Sequence, residues 1–411
     1  MDSAPRMDSA PRMDSAPRCQ DDAILTAPGE HAVVSELQSL AYERMIPLNV
    51  SLELTLKCNI RCLHCYNFDR DTDGPACGSG EATTAAPELS IEEIFRVMGE
   101  LRAAGTLFLS LTGGEVLSSP HLFPVLDRAR DLNLAVQMLS NGTLLRPGVA
   151  ARLASYRNLL GVSISLYGAT PEVHDAITQV RGSWRRTVDG AERLRAQGVA
   201  VRLKLIVMRP NVHEVGAMRA LCDARRFPYL LDLTVTARHD GSQGSLAMRI
   251  TEAELAALYR GPLGDLIPKG NRAVDEAAFP CNCARGNAAI SARGDVFPCV
   301  SVPWAAGNVR QQPFGEIWRS SPVFERIRGL KIADYSACAP CPDKAFCSRD
   351  RGAAYNASGS YTGTDPFVCA AAGVARAVAE TRPVAEARPA GESRRPSAPD
   401  VPLPLAIAAA R

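Results

Sequence analysis

The sequence has little imbalance of charge and no long apolar run. Its 46 lysines and arginines are almost matched by 44 aspartates and glutamates, which leaves a formal net charge of +2. That balance argues against a protein that coats nucleic acid or binds a membrane surface. No apolar stretch approaches the ~20 residues of a membrane span, and the short one at 401–410 contains two prolines. No charged-then-apolar signal segment opens the chain, so we expect a cytoplasmic protein.

The length of 411 residues exceeds what one domain usually needs, so we expect a large catalytic domain and a smaller module. A hydrophobic fraction of 46% is sufficient for a real core. The first 18 residues are three copies of Met-Asp-Ser-Ala-Pro-Arg, and from about Arg382 the chain is rich in Pro, Ala, Arg and Ser. Such tracts have little apolar surface to bury, so both ends are predicted to be disordered.

Between the ends, apolar runs alternate with amphipathic stretches. Ser90, followed by Glu93 three residues later, is typical of a helix start and predicts a helix to about Ala104. Strands that alternate with helices at this rhythm imply a parallel sheet of βα units. Six such units predict an α/β fold, a partial, open (β/α)6 barrel, with a polar loop inserted at 69–87. The strand-like runs are 49–56, 107–111, 134–139, 161–166, 201–208 and 230–235, and the further helical patterns are 121–131, 147–156, 184–197 and 211–225.

Cysteine is abundant and clustered, with 13 residues in all. In a cytosolic protein, clustered cysteines more often bind metal than form disulfides. Cys58, Cys62 and Cys65 follow the first predicted strand directly, in the loop where active sites of parallel βα folds gather. Because four cysteines usually hold a [4Fe–4S] cluster, three would leave one iron open to a substrate or cofactor. A structural zinc site with His64 as the fourth ligand is the alternative.

The motif Cys58-Asn-Ile-Arg-Cys62-Leu-His-Cys65 resembles the signature of the radical S-adenosylmethionine (SAM) superfamily, Cys-x3-Cys-x-aromatic-Cys. The resemblance implies that the three cysteines bind a [4Fe–4S] cluster that cleaves SAM to a 5′-deoxyadenosyl radical. SAM would chelate the fourth iron through its amino and carboxylate groups. His64 stands in the aromatic position, which in the family lies against the adenine of SAM.

The segment after the second predicted strand resembles the family's "GGE" segment. Gly113 and Gly114 would let the backbone approach the SAM amino group closely, and Glu115 would complement the charge of that ammonium. Ser140 and Asn141, at the end of the third strand, resemble the segment that contacts the ribose.

Two further positions are SAM-site candidates by the same resemblance. Ser163 and Ser165 share one face of the fourth predicted strand, and in the family a polar residue on this strand faces SAM or substrate. A strand that merely carries polar residues on one face is the alternative. Arg181 matches the family's arginine and would pair with the SAM carboxylate, against the alternative of a surface arginine.

A second group of seven cysteines lies between 281 and 369. Cys283, Gly294 and Cys299 fit the pattern Cys-x10-Gly-x4-Cys, and Cys338, Cys341 and Cys347 fit Cys-x2-Cys-x5-Cys. This group resembles the SPASM domain, a C-terminal extension that carries auxiliary clusters in peptide and protein maturases. The domains are therefore expected as a disordered repeat and an N-terminal segment at 1–47, a radical SAM core at 48–240, a linker or bridging region at 241–280, a SPASM domain at 281–375 and a disordered tail at 376–411.

The resemblance implies one or two auxiliary [4Fe–4S] clusters. The outer one would be held by Cys338, Cys341, Cys347 and Cys369, and the inner one by Cys281, Cys283 and Cys299. The family's fourth inner ligand is a cysteine three or four residues after Cys347, where this chain has Asp350 and Arg351. Three outcomes are open: Asp350 ligates through oxygen, one inner iron stays open, or the inner cluster does not form.

The auxiliary-cluster domain favours a peptide maturase, which abstracts hydrogen from a residue of a ribosomally made precursor peptide and forms a thioether or carbon–carbon crosslink. The expected partners are that peptide, a separate leader-recognition protein, and an electron donor such as flavodoxin or ferredoxin. A tetrapyrrole-modifying enzyme is the main alternative. A sulfatase maturase is disfavoured because Val300 and Ser301, rather than an acidic base, follow Cys299. A non-catalytic iron–sulfur or zinc adaptor is the alternative from another class.

Overall fold

The computed structural model describes residues 31–67, 86–267 and 281–381. The three repeats, nearly all of the insert predicted at 69–87, part of the linker and the tail from 382 lie outside the described residues. The strands are β1 (Asn49–Glu53), β2 (Phe108–Thr112), β3 (Ala135–Ser140), β4 (Leu159–Leu166), β5 (Val201–Ile206), β6 (Tyr229–Asp232), β7 (Asn287–Ile290), β8 (Asp295–Phe297) and β9 (Gly307–Asn308). The helices are α1 (His31–Arg44), α2 (Ile91–Ala103), α3 (Leu122–Asp131), α4 (Pro147–Ala154), α5 (Pro171–Thr178), α6 (Ser183–Ala196), α7 (Val215–Ala224), α8 (Glu252–Arg260), α9 (Phe314–Ser320), α10 (Pro322–Gly329), α11 (Arg351–Ser358) and α12 (Pro366–Thr381).

The sheet is a single unit of nine strands in the order β6-β5-β4-β3-β2-β1-β7-β8-β9. Strands β1 to β6 pair in parallel with their neighbours, each pair joined through one or two helices. The predicted α/β fold of six βα units is therefore confirmed. The predicted start of α2 is confirmed as well, because Ser90 accepts from the Glu93 N–H and the Glu93 carboxylate accepts from the Ser90 N–H. The eight-residue helix α5 is absent from the sequence prediction, since two turns give too few apolar repeats.

The two faces of the sheet differ in chemistry. Alternate residues of the parallel strands, among them Leu52, Leu111 and Val162, are fully buried and form the core against the helices. The intervening residues form the opposite, concave face, and most of them are polar: Asn49, Ser51, Glu53, Ser110, Gln137, Ser163, Ser165, Arg202 and Lys204. A polar concave face provides hydrogen-bonding groups for a ligand rather than a packed core.

The predicted SPASM region joins the barrel sheet directly. Strand β7 pairs in parallel with β1, with Ser51 opposite Ala289, and then turns back antiparallel through β8 and β9. A bidentate ion pair between Arg249 and Asp365, at 3.1 and 2.6 Å, adds a second link between the two halves. The carboxyl end of β1 therefore has β2 on one side and the hairpin β7–β8 on the other.

Three helices extend into the predicted terminal and bridging segments. Helix α1 lies within the predicted N-terminal segment 1–47, after the repeats, and the Met45 carbonyl after it accepts from Trp318 Nε1 at 2.7 Å. Helix α12 continues to Thr381, past the predicted tail start at 376, because Val378 packs in one cluster with Leu258 of α8. The predicted linker at 241–280 contains α8 itself. These elements are held by distant partners, which a local pattern does not reveal.

In the described part of the chain, no helix combines the length and the apolar character needed to cross a membrane.

Candidate active site

The loop with the first three cysteines is fixed by its backbone. It follows β1, and the N–H groups of Arg61 and Leu63 donate to the carbonyls of Thr178 and Ile177, at 2.9 and 3.1 Å, at the end of α5. Cys58, Cys62 and Cys65 are all partly exposed, and none of the described cysteines forms a disulfide. The fold therefore presents the three thiols on one ordered loop.

The "GGE" segment packs directly on the chain that leads into Cys58. The Gly114 N–H donates to the Thr55 carbonyl at 2.7 Å, and the Glu115 N–H donates to the Lys57 carbonyl at 2.8 Å. A Cβ atom on Gly113 would stand 2.3 Å from the Thr55 oxygen, and one on Gly114 would stand 2.4 Å from the Lys57 oxygen. The sequence predicted that these glycines allow a close approach of the backbone. In the structure, that approach is to the chain that leads into the cysteine loop. Contact of this segment with SAM stays a prediction.

Glu115 joins the ends of β2 and β3. Its buried carboxylate accepts from Ser140 Oγ and from the Asn141 N–H, both at 2.7 Å, and from the Leu117 N–H at 3.1 Å. Burial raises the pKa of Glu115, while these hydrogen bonds oppose the shift. The sequence assigned Glu115 and Ser140 to separate contacts with SAM, whereas the structure brings them together as a support for the loop after β3.

Asn141 connects that loop to the cysteines. Its Nδ2 donates to Asn59 Oδ1 at 3.0 Å and lies 3.8 Å from Cys58 Sγ, and Asn59 donates in turn to Thr143 Oγ1 at 2.7 Å. Sequence reasoning missed Asn59 and Thr143. Their positions, inside the cysteine motif and two residues after Asn141, were the available signal.

His64, within the cysteine loop, is a neutral aromatic ring. Its ring centroid is 4.9 Å from that of Tyr167, edge to face, and burial and the nearby Lys204 lower the pKa of His64 to about 4. Its Nδ1 atom is buried and has no hydrogen-bond partner among the described residues. A neutral ring with an unsatisfied nitrogen fits the predicted position against an adenine, which offers both a flat face and hydrogen-bonding groups.

The three remaining SAM-site candidates lie in different environments. Ser165 and Cys62 both interact with the hydroxyl of Tyr167, so Ser165 lies near the cysteine loop. Ser163 accepts from Arg202 at 3.2 Å on the concave face. Arg181 is exposed on the surface just after α5. Its predicted pairing with the SAM carboxylate stays a prediction.

A small pocket, with a cavity volume of ≈40 Å³, lies where β1 meets the hairpin β7–β8. Glu53 on its wall has a pKa raised to about 7, chiefly because the carboxyl group is buried, with Asp295 and Glu88 adding like charge. Asn67 is buried in the same wall, and its interaction with the Glu53 carboxyl group opposes this rise in pKa. The pocket is lined by Glu53, Leu56, Asn67, His239, Ala289, Ile290, Ser291, Arg293, Asp295, Phe297, Val300 and Pro303.

The position of this pocket follows from its neighbours in the chain. Leu56 lies two residues before Cys58, Asn67 lies two residues after Cys65, and Val300 directly follows Cys299. A molecule held in this junction pocket would therefore lie between the first cysteine loop and the second cysteine group.

The second cysteine group contains two sets of thiols that interact with each other or with a shared neighbour. Cys369 interacts electrostatically with Cys347, Cys338 and Cys341. Cys281 Sγ lies 2.9 Å from the hydroxyl of Tyr361, which also interacts electrostatically with Cys283 and Cys299. Ligation of clusters by these two sets stays a prediction.

Asp350 has a structural partner, which bears on its predicted role as a ligand. Its Oδ1 accepts from the Ala353 N–H at 2.9 Å and caps the start of α11. The next residue, Arg351, is buried, donates to the carbonyls of Arg349 and Gly363, and lies over the Tyr335 ring at 4.7 Å.

The donor set fits iron–sulfur clusters rather than a single ion. Within residues 31–67, 86–267 and 281–381, no three His, Cys, Asp or Glu side chains converge closely enough to hold one metal ion. Cysteines that hold a cubane cluster bind different irons and do not need to converge on one point. Three thiols on one loop, and groups of four and three thiols beyond it, have the chemistry that such clusters require.

Comparison with known proteins identifies the domains. Residues 52–221 match the Radical SAM superfamily. The chain contains a radical SAM domain and is an oxidoreductase-type enzyme. Residues 281–342 match SPASM, an iron–sulfur cluster-binding domain, so the enzyme has the auxiliary module that the sequence suggested. Its cofactors are SAM and [4Fe–4S] clusters, which Cys58, Cys62 and Cys65 and the second cysteine group would hold.

Relatives of the enzyme fall into two groups by name. It is 27% identical over 347 residues to the AdoMet-dependent heme synthase of Methanosarcina barkeri (strain Fusaro / DSM 804), covering 78% of this chain and 96% of that protein. It is 29% identical over 321 residues to the mycofactocin maturase MftC of Mycobacterium ulcerans (strain Agy99), covering 73% and 82%. Its fold matches Streptococcus suis SuiB bound to the precursor peptide SuiA with a TM-score of 0.58 at 16% identity, covering 87% and 84% of the two chains.

Proposed function

We propose that the enzyme abstracts hydrogen from a residue of a ribosomally made precursor peptide and forms a thioether or carbon–carbon crosslink in it. The observation that supports this substrate class is the balance of charge in the space between the two cysteine groups. The junction pocket has two carboxyl groups, Glu53 and Asp295, against one guanidinium, Arg293. Its histidine, His239, has a pKa lowered to about 4 by burial and adds no positive charge near neutral pH.

The concave face has a similar balance. Lys204 pairs with Asp232 at 3.1 Å, and Arg202 donates to Ser163. Most other residues on this face are uncharged hydrogen-bonding groups, which match the N–H and C=O groups of a peptide backbone. A tetrapyrrole with several carboxylates would be bound best by an excess of arginine or lysine here, because a buried carboxylate is stabilised most strongly by a cationic partner.

The relatives support both substrate classes. MftC is named a maturase and SuiB was solved with a precursor peptide, whereas the M. barkeri protein is named a heme synthase and is covered almost completely. Tetrapyrrole modification is therefore the second candidate function, favoured by that coverage and disfavoured by the charge balance of the junction pocket.

The chain's own residues have defined tasks in the peptide reaction. When bound, the clusters and SAM supply the 5′-deoxyadenosyl radical and an acceptor for one electron. The concave face and the junction pocket hold the target residue, and the hairpin β7–β8 excludes water from it. Closing a crosslink also releases a proton from the peptide, and Glu53 is placed to accept it, since its pKa near 7 suits a general base. Glu53 of β1 thus provides an acidic group in the pocket that Val300 also lines, although no acidic residue directly follows Cys299 in the sequence.

The test is incubation of the anaerobically reconstituted enzyme with SAM, dithionite and a short peptide encoded beside its gene. A peptide lighter by a pair of hydrogens, together with 5′-deoxyadenosine, is the expected product. A change in the mass of an added tetrapyrrole under the same conditions, with the peptide unchanged, would establish the alternative. A separate leader-recognition protein and a flavodoxin or ferredoxin donor complete the proposed system. Omission of the leader protein should weaken peptide binding without affecting SAM cleavage.

A further inference from the structure

The inner thiol group contains a buried hydroxyl that the sequence did not single out for a role. Tyr361 is 3% exposed, and its oxygen lies 2.9 Å from Cys281 Sγ. The same hydroxyl interacts electrostatically with the thiols of Cys283 and Cys299. One phenol therefore contacts Cys281 directly and interacts with the other two cysteines assigned to the inner auxiliary site.

The two charged residues at the position of the family's fourth ligand have other contacts. Asp350 uses Oδ1 to cap α11, and Arg351 is engaged with backbone carbonyls and the Tyr335 ring. A guanidinium has no lone pair to give to iron, because its nitrogens act only as donors. Of the three outcomes that the sequence left open, ligation through Asp350 is thus the one that the structure favours least.

The distance from oxygen to sulfur indicates what Tyr361 does. If Tyr361 and Cys281 bound different irons of a cubane, an edge of the cluster would separate their ligand atoms. The Tyr361 oxygen instead lies 2.9 Å from the Cys281 sulfur, which is a hydrogen-bond distance. A thiolate bound to iron carries no proton, so the hydroxyl is the donor. We propose that Tyr361 donates a hydrogen bond to the Cys281 thiolate of the inner auxiliary cluster and thereby sets the reduction potential of that cluster.

The sign of the effect follows from charge. A reduced cluster carries one more negative charge than the oxidised cluster, and a hydrogen bond to a ligating sulfur stabilises the more negative state. Tyr361 therefore raises the reduction potential of the inner cluster relative to the same site without the hydroxyl. It acts as a positioning residue, whichever substrate class the enzyme uses.

The experiment uses the full chain with Cys58, Cys62 and Cys65 replaced by alanine, so that only auxiliary clusters are observed. Tyr361→Phe removes the hydroxyl and keeps the ring. The matched control is Tyr355→Phe, because Tyr355 stacks on the same Trp304 at 5.7 Å, where Tyr361 lies at 6.5 Å. Iron and sulfide content, and the potential of each cluster in an EPR-monitored redox titration, are measured for all three proteins.

We expect unchanged iron content in both variants, because the seven cysteines are intact. In Tyr361→Phe, the ratio of oxidised to reduced inner cluster should rise about tenfold at a fixed potential, a lowering of about 59 mV for one electron. The outer cluster and the Tyr355→Phe protein should not shift. An unchanged inner potential in Tyr361→Phe would refute the hydrogen bond, and loss of one cluster's iron in that variant alone would show that the phenol is needed to retain the cluster instead.

A measurement on the protein with Tyr361 intact keeps the proposal testable if Tyr361→Phe does not fold. After exchange into D2O, deuterium ENDOR of the reduced inner cluster should show a strongly coupled deuteron close to sulfur. Its absence would contradict the assignment. Neither experiment contains a peptide or a tetrapyrrole, so failure here is distinguishable from failure of the proposed function.

Discussion

The backbone N–H of Gly114 donates to the carbonyl of Thr55 at 2.7 Å, which places the loop after β2 directly against the chain that enters the cysteine motif. A side chain on Gly114 would meet the Lys57 and Leu56 oxygens at 2.4 and 2.5 Å, so Gly114→Ala must displace the cysteine loop. We expect the variant to lose most of its 5′-deoxyadenosine formation and part of its iron. Gly148→Ala is the control, because its Cβ would meet no atom within 4 Å, and it should keep both.

The two cysteine groups should lose iron independently. Alanine at Cys58, Cys62 and Cys65 should abolish 5′-deoxyadenosine formation while the auxiliary clusters and their spectra remain. Cys222→Ala serves as the control, since this cysteine is buried in α7 within the apolar core. It should change stability by about 1 kcal/mol and leave the iron content unaltered. Loss of auxiliary iron in the triple variant would contradict the separation of the sites.

Glu53 should control a proton rather than the radical. With the peptide substrate, Glu53→Gln is expected to keep 5′-deoxyadenosine formation but to lower crosslinked product about a hundredfold. Asp295→Asn, in the same pocket, should have a much smaller effect. Equal losses in both variants would show that the pocket needs negative charge but no particular base.

The pH dependence has a definite sign. The pKa of Glu53 is raised from 4.5 to about 7 by burial, with Asp295 and Glu88 adding like charge, while Arg293 and the neutral His239 line the same pocket. Crosslinking should therefore increase as pH rises through about 7. Because the folded-state pKa is raised, stability should fall as pH rises between about 4.5 and about 7. The loss is of the order of 3 kcal/mol at most, at about 1.4 kcal/mol per pKa unit. Urea unfolding of Glu53→Gln should lack this loss.

Two ion pairs provide a matched test of burial. Asp365, whose side chain is 0% exposed, pairs with Arg249, whereas Asp265, 60% exposed, pairs with Arg219 at 2.8 Å. Asp365→Asn leaves Arg249 buried without its partner and should destabilise the protein by about 3–5 kcal/mol. Asp265→Asn should cost about 1 kcal/mol or less. Thermal unfolding of the two variants distinguishes these expectations, and similar values would contradict the link between barrel and SPASM domain.

The sequence predicted those features that depend on local pattern. Six strands, the Ser90 cap and the two cysteine groups follow from periodicity and spacing, and the structure has each of them. The support of the "GGE" loop on Thr55 and Lys57, the contact of Asn141 with Asn59, and Tyr361 among the inner thiols all join residues far apart in the chain. Such contacts depend on how the strands register, so one sequence contains no local signal for them. Contact of His64, Glu115, Ser165 and Arg181 with SAM stays a prediction.

Because β7 pairs with β1, the two domains share one sheet and are separate only along the sequence. Strand β1, which leads into Cys58, is an interior strand because a segment more than two hundred residues later completes its hydrogen bonds. A fragment that ends near residue 240 would expose β1 as an unpaired edge, and such edges promote aggregation. A chimaera that combines the radical SAM domain of this enzyme with the SPASM domain of a relative therefore has to keep a strand that pairs with β1.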